Sequence, residues 1–257
     1  GEGMLGASAA ALISQKTARV IGFTVTAVWW FLVSVPLLKN YQQKYYGESQ
    51  KGAVKECFSR IGHTIVKIFR EDRKVKYFLL AFFLYIDGVN TIIDNAINIG
   101  TDLNLNTVGQ VVFLLATQVV AFAFSLIFSK LSEKYSTGTL IKVCISGYLV
   151  VAVYALTLTN LFQFGIMAFG VGMFQGSIQA LSRAYYGKII PAENSGEYFG
   201  LYDIFSKGAS FLGSFLIGIV KMATGRITLA VGSLAFFFFT GLLLFMKADS
   251  LPNKNNE

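Results

Sequence analysis

Asp87, Thr91, Asp94 and Asn98 recur at i, i+4, i+7 and i+11 inside an apolar stretch that runs from Tyr77 to Ile99. On a helix these positions share one face, with Asn90 beside them. A carboxylate at bilayer depth costs about 2.5–3.5 kcal/mol on insertion scales. Two acids on one stripe therefore point to a water-filled path through a membrane, and the chain reads as a transporter or a large piece of one. Entering from the cytoplasm near Tyr77, Asp87 lies about 15 Å deep at 1.5 Å per residue, close to the bilayer centre. A buried carboxyl there can load and release a proton. The bland alternative is permanent pairing of both acids with basic groups on neighbouring helices.

Two further groups could handle a solute. Asp203 and Lys207 stand at i and i+4 with the acid first, the favourable order for a helical ion pair. That pair either holds its helix inertly or offers Lys207 as counter-charge to Asp87 or to an anionic solute group, with Tyr202 adjacent. Gln175 and Gln179 lie one turn apart and suit polar or zwitterionic solutes. Arg183 either snorkels to the interface or belongs to an inner gate. Gly172 and Gly176 form a GxxxG pair, which reads as close helix packing. Ser210, Ser214 and Gly218 read as another packing stripe. His63, the only histidine, is assigned no role. Metal-ligand spacings, Walker-type loops and GxSxG elbows are absent from the sequence, so neither a cofactor nor enzymatic chemistry is expected.

The elements that must position these residues are membrane spans. Of 257 residues, 54% are hydrophobic and 14% charged, against about 25% charged in soluble domains. Twenty-four Phe and three Pro suit long helices in lipid. Cys57 and Cys144 give no disulfide framework. Seven spans are expected, near 18–38, 77–99, 108–128, 140–159, 162–186, 197–219 and 227–246, each with about 20 apolar residues. The expected class is therefore an all-α, multi-pass membrane protein with seven transmembrane helices.

The formal charge of +8 is not spread as nucleic-acid binding would need. Ten Lys/Arg against four Asp/Glu fall in residues 39–76, between two spans. The positive-inside rule makes that segment cytoplasmic, with 129–142, 183–196 and the 247–257 tail. Seventeen basic residues then lie inside and four outside. Within 39–76, Val54, Phe58, Ile61, Ile65 and Ile68 oppose Lys55, Arg60 and Lys67. This amphipathic helix either lies on the anionic inner leaflet or bridges two halves of the protein. The chain opens on Gly1, and Leu5–Ile13 is too short to span, so the start is expected to be internal to a longer product. Residues 1–17 are expected outside the cytoplasm.

Three strings resemble a known family: "VWWFLVSVPLL" at 28–38, "FFLYIDGVNTI" at 82–92 and "MFQGSIQALSRAYYGKIIPAENSGEYFGLYDIFSKGASFLG" at 173–213. They are similar to the major facilitator superfamily, in the branch named for fungal vacuolar amino-acid effluxers and its bacterial relatives. The superfamily's acidic-basic loop motif survives only as "SKLSEKY" at 129–135, with Glu133 where Asp is usual. The resemblance implies alternating access between two six-helix bundles around a central solute site. It implies that 18–38 ends the N-terminal bundle, that 39–76 is the central loop and that 77–246 is the C-terminal bundle. A proton or other coupling ion, a small polar solute such as an amino acid and the missing N-terminal bundle would be the partners. Short loops favour a bacterial plasma membrane over a vacuolar one. Rival readings are a non-transporting membrane scaffold and an intramembrane aspartyl protease, though the polar stripe is needless in a scaffold and "IDG" at 86–88 lacks a GxGD context.

Overall fold

The computed structural model describes residues 15–42 and 53–252, and every regular element among them is helical. Helices satisfy their own backbone, which an apolar chain requires in lipid. α1 (Gln15–Asn40) stands in one compact unit, and everything from Lys51 onward forms a second. The second unit holds α2 (Ala53–Glu71), α3 (Arg73–Asp94), α4 (Ala96–Asp102), α5 (Thr107–Leu131) and α6 (Thr137–Tyr154). It continues with α7 (Leu161–Ile189), α8 (Ser195–Gly208), α9 (Phe211–Thr224), α10 (Ile227–Gly232) and α11 (Ala235–Ser250). Among the described residues seven stretches are long and apolar enough to cross a membrane, so the chain is a multi-pass membrane protein. Residues 1–14 of the expected extracytoplasmic segment and 253–257 of the tail lie outside the described residues.

Four helices start where the sequence supplies a side-chain acceptor. Asp72 accepts from the Val75 N–H at 3.1 Å, and Asn106 accepts from Gly109 at 2.9 Å. Ser136 accepts from Thr139 at 3.1 Å, and Asn160 accepts from Gln163 at 2.9 Å. Each satisfies a donor that a helix start otherwise leaves free.

Three spans expected to be continuous are broken. The 77–99 span ends at Asp94, turns at Asn95 and resumes as α4. Asn95 helps to stop it, since its side-chain amide donates to the Thr91 carbonyl at 3.0 Å. The last span divides into α10 and α11 around Ser233 and Leu234. The 197–219 span divides into α8 and α9, with Ser210 at φ 106° in the joint. Ser210 is therefore no part of a continuous packing stripe.

α3 runs through the core against α11, α8 and α7. Phe78 stacks on Tyr185 and Tyr186, and Phe82 stacks on Tyr202 at 4.2 Å. A Cβ at Gly241 would stand 3.2 Å from the Tyr85 Cβ, so the glycine lets α11 lie close to α3. A Cβ at Gly172 would press on the Thr117 carbonyl of α5, and the Thr117 hydroxyl donates to the Ala168 carbonyl at 3.3 Å. The GxxxG pair is thus a packing face. Cys144 is fully buried in α6.

Polar ties close both ends of the bundle. At one end Lys142 pairs with Asp249 at 2.9 Å, Tyr185 donates to Asp249 at 3.1 Å and Lys74 donates to the Leu251 carbonyl at 2.7 Å. Lys247 lies 4.3 Å over the Tyr77 ring. At the other end Lys221 of α9 pairs with Asp102 of α4. In α2, Ile68 is fully buried, Ile65 packs on the core and the Thr64 hydroxyl donates to Glu197 at 2.7 Å. This part of the amphipathic face docks on protein, not on lipid. The side chains of Val54, Lys55, Phe58 and Arg60 lie outside the described residues.

Candidate functional site

One cavity of about 310 Å³ gathers Asn90, Gln179, Arg183, Tyr202 and Asp203 of the residues singled out from the sequence. α3 contributes Phe82, Ile86 and Asn90, α7 contributes Gln179, Ala180 and Arg183, and α8 contributes Tyr202, Asp203 and Ser206. Each set lies on one face of its helix: 82, 86 and 90 are four apart, as are 179 and 183, and 202 and 206. Local periodicity therefore aims all three faces at one space.

Within the cavity the charged pair differs from the expected one. Arg183 Nη1 lies 3.5 Å from Asp203 Oδ1, while Lys207 is exposed and makes no ion pair among the described residues. Aromatic rings explain the choice. The Arg183 guanidinium sits 4.9 Å over Phe199 and 5.9 Å from the Tyr202 ring. A flat, delocalised cation stacks on such faces, and an ammonium gains less there. Arg183 consequently lies along an aromatic wall facing Asp203 and does not snorkel away. The pair is long and half exposed, with side chains 58% and 51% accessible, so it contributes roughly 0–1 kcal/mol.

The Asp87 stripe is divided. Asp87 and Thr91 are fully buried, whereas Asp94 and Asn98 are exposed. Asp94 is the last residue of α3, and Asn98 belongs to α4 beyond the Asn95 turn, where it donates to Asn95 at 3.4 Å. A helix that breaks at 95 cannot keep 98 in register with 87. Asn90 faces the cavity, one helix face away from Asp87. Asp87 Oδ1 accepts the Ser210 N–H at the α8–α9 joint. Its Oδ2 and the Thr91 hydroxyl make no hydrogen bond of normal geometry, although the Gly213 N–H and the Thr91 hydroxyl both face the carboxyl.

Gln175 lines a second, apolar-walled cavity of about 170 Å³ with Gln118 and Thr117. Gln175 and Gln179, one turn apart, therefore serve different spaces. Glu133 is exposed in the turn between α5 and α6. No group of three or more potential metal-ligating side chains occurs among the described residues.

Sequence reasoning missed Ser206 and Phe199, read Ser210 as packing, and did not find the Tyr85–Ser182 hydrogen bond of 2.7 Å in the α3–α7 interface. A glycine at 208 inside an apolar span was the available signal for the joint.

The family described as "Vacuole effluxer Atg22 like" matches residues 4–256. The uncharacterized MFS-type transporter YxiO of Bacillus subtilis (strain 168) is 40% identical over 232 residues, which cover 90% of this chain and 54% of that protein. Autophagy-related protein 22 of Saccharomyces cerevisiae (strain ATCC 204508 / S288c) is 25% identical over 263 residues, covering 89% of this chain and 48% of the yeast protein. Autophagy-related protein 22 of Botryotinia fuckeliana (strain B05.10) is 28% identical over 203 residues, covering 72% of this chain and 33% of its own length. The chain spans about half the length of these relatives, or less.

Proposed function

We infer the activity from one premise: the chain belongs to the vacuole effluxer Atg22-like family. On that premise the chain is the C-terminal bundle and the preceding helix of a secondary active transporter. The complete protein works by alternating access, with the N-terminal bundle supplying the facing half of the site. The solute is small and polar, an amino acid being the best fit, and its movement is coupled to a proton. The basic segment 39–76 faces the cytoplasm of a bacterial cell.

The observation that carries this reading is the cavity between α3, α7 and α8. It offers a cation and an anion held close but weakly, an aromatic wall and two amides, Asn90 and Gln179. A zwitterion can exchange that weak internal pair for two bonds of its own. Its carboxylate would take the Arg183 fork, which suits bidentate contact. Its ammonium would take Asp203. The amides then accept and donate without adding charge.

The test uses the full-length protein in proteoliposomes with a mixture of labelled amino acids. Uptake is expected in the wild type. Arg183→Ala should lower it at least tenfold at equal abundance, since a charged hydrogen bond contributes about 1.5–3 kcal/mol. Folded wild-type protein that moves none of these solutes, by net flux or by exchange, overturns the reading and leaves the scaffold.

A further inference from the structure

We propose that Asp87 is the seat of the coupling proton and that its charge holds α9 in place, so that protonation releases α9. This rests on the carrier reading above and adds how coupling reaches the helices.

Four observations meet at one point. Asp87 is fully buried midway along α3, and no Lys, Arg or His pairs with it among the described residues. Its Oδ1 accepts the Ser210 N–H where α8 gives way to α9, across 123 residues of sequence. Oδ2 and the Thr91 hydroxyl, one turn further along α3, are buried and make no hydrogen bond of normal geometry, the Gly213 N–H and that hydroxyl being the polar groups that face the carboxyl. Ser210 holds φ 106°, a conformation that residues with a Cβ rarely adopt.

A buried carboxylate without a cation needs another source of positive potential. The start of α9 supplies it, because the free N–H groups and dipole of a 14-residue helix point there. The dependence is mutual. Strained backbone persists only where the surroundings over-determine it, and the bond from Ser210 to Asp87 is such a constraint. Gly213, one turn into α9, lies against Thr91, so the two helices touch with nothing between them.

Other titratable groups on the surrounding elements are engaged elsewhere. On α8, Tyr202 stacks on Phe82 and Asp203 faces Arg183 of α7, while Lys207 is exposed. On α7, Tyr185 bonds Asp249 and Tyr186 bonds the Tyr198 carbonyl. Lys247 and Asp249 of α11 meet Tyr77 and Lys142 at one end of the bundle. Lys221 of α9 meets Asp102 at the other end. Tyr85 bonds Ser182.

A proton arriving on Oδ2, which no cation holds, removes the charge. The hydrogen bond from Ser210 loses its ionic component, α9 loses its counter-charge and the strained joint is free to relax. The Lys221–Asp102 tie would carry α4 along with α9. When the proton leaves, the ionised carboxylate recaptures the helix start.

The test is hydrogen exchange on full-length protein in nanodiscs, with uptake in proteoliposomes measured in parallel. Protection of the Ser210–Gly213 amides, corrected for intrinsic exchange, should fall in the wild type by about tenfold on acidification, within the range of typical coupling factors. Asp87→Asn keeps an oxygen for Ser210 but carries no charge, so its protection should be low and unchanged by pH. Its uptake should no longer respond to an imposed pH gradient. Asp87→Glu keeps the charge and should keep the pH response, which covers the case where the Asn variant fails to fold. Wild-type protection that ignores pH, or a folded Asp87→Asn variant that still responds to it, overturns the proposal. So does a folded Asp87→Glu variant without a pH response. The exchange result stands whether or not any amino acid is transported, so failure here and failure of the carrier reading are separable.

Discussion

Ser210 and Gly213 show how finely the α8–α9 joint depends on single residues. Positive φ at a residue with a Cβ costs about 1–2 kcal/mol, while glycine adds about 0.5–1 kcal/mol of unfolded-state entropy. Strain wins by a small margin, so Ser210→Gly should raise the thermal midpoint by the equivalent of up to about 1 kcal/mol; a lower midpoint refutes this. At Gly213 a Cβ would press on the Thr91 hydroxyl and stand 2.9 Å from its Cβ. Gly213→Ala should therefore destabilise by about 1–3 kcal/mol, whereas Gly218→Ala, with nothing within 4 Å, should be neutral or stabilising. Thermal unfolding of both variants separates the cases. At this scale the sequence was half legible. Asp87, Asn90, Gln179, Arg183, Tyr202 and Asp203 stood out because polar groups are costly in an apolar span. Their partners did not, because the local i, i+4 rule favoured Lys207 for Asp203 and knew nothing of rings that hold Arg183. The bond from Ser210 to Asp87 joins positions 123 residues apart, beyond any local rule.

Helix starts carry a local signal in the sequence and helix breaks carry little. Asp72, Asn106, Ser136 and Asn160 are ordinary capping residues placed just before apolar runs. A turn of one or two residues inside a span leaves its apolar count nearly unchanged, so hydropathy passes over Asn95 and Ser210. The broken pieces α4 and α9 are tied through Asp102 and Lys221, whose side chains are 31% and 45% accessible. A double-mutant cycle on this pair should return about 0.2–1 kcal/mol at low salt. That coupling should shrink in 1 M salt, where charges are screened beyond about 3 Å. A coupling that ignores salt would mean that packing, not charge, joins the two pieces.

Across the whole molecule the alternation of basic loops agrees with the ties seen at the bundle ends. The start of α3, the start of α6, the end of α7 and the end of α11 meet through Lys74, Lys142, Tyr185 and Asp249, all in segments assigned to the basic side. Lys221 and Asp102 lie at the opposite end. If residues 39–76 are cytoplasmic, a membrane-impermeant thiol reagent on intact cells should label Met222→Cys and spare Ser136→Cys. The reverse pattern would invert the orientation. Up-and-down order is an expectation from charge, while the inter-helix distances depend on glycines such as Gly172 and Gly241 whose neighbours only the fold reveals. Cys144 adds something useful to experimenters. Its sulfur has no route to solvent while α6 stays packed, so in a Cys57→Ser background its rate of alkylation becomes a built-in clock for breathing of the bundle, one that needs no engineered probe.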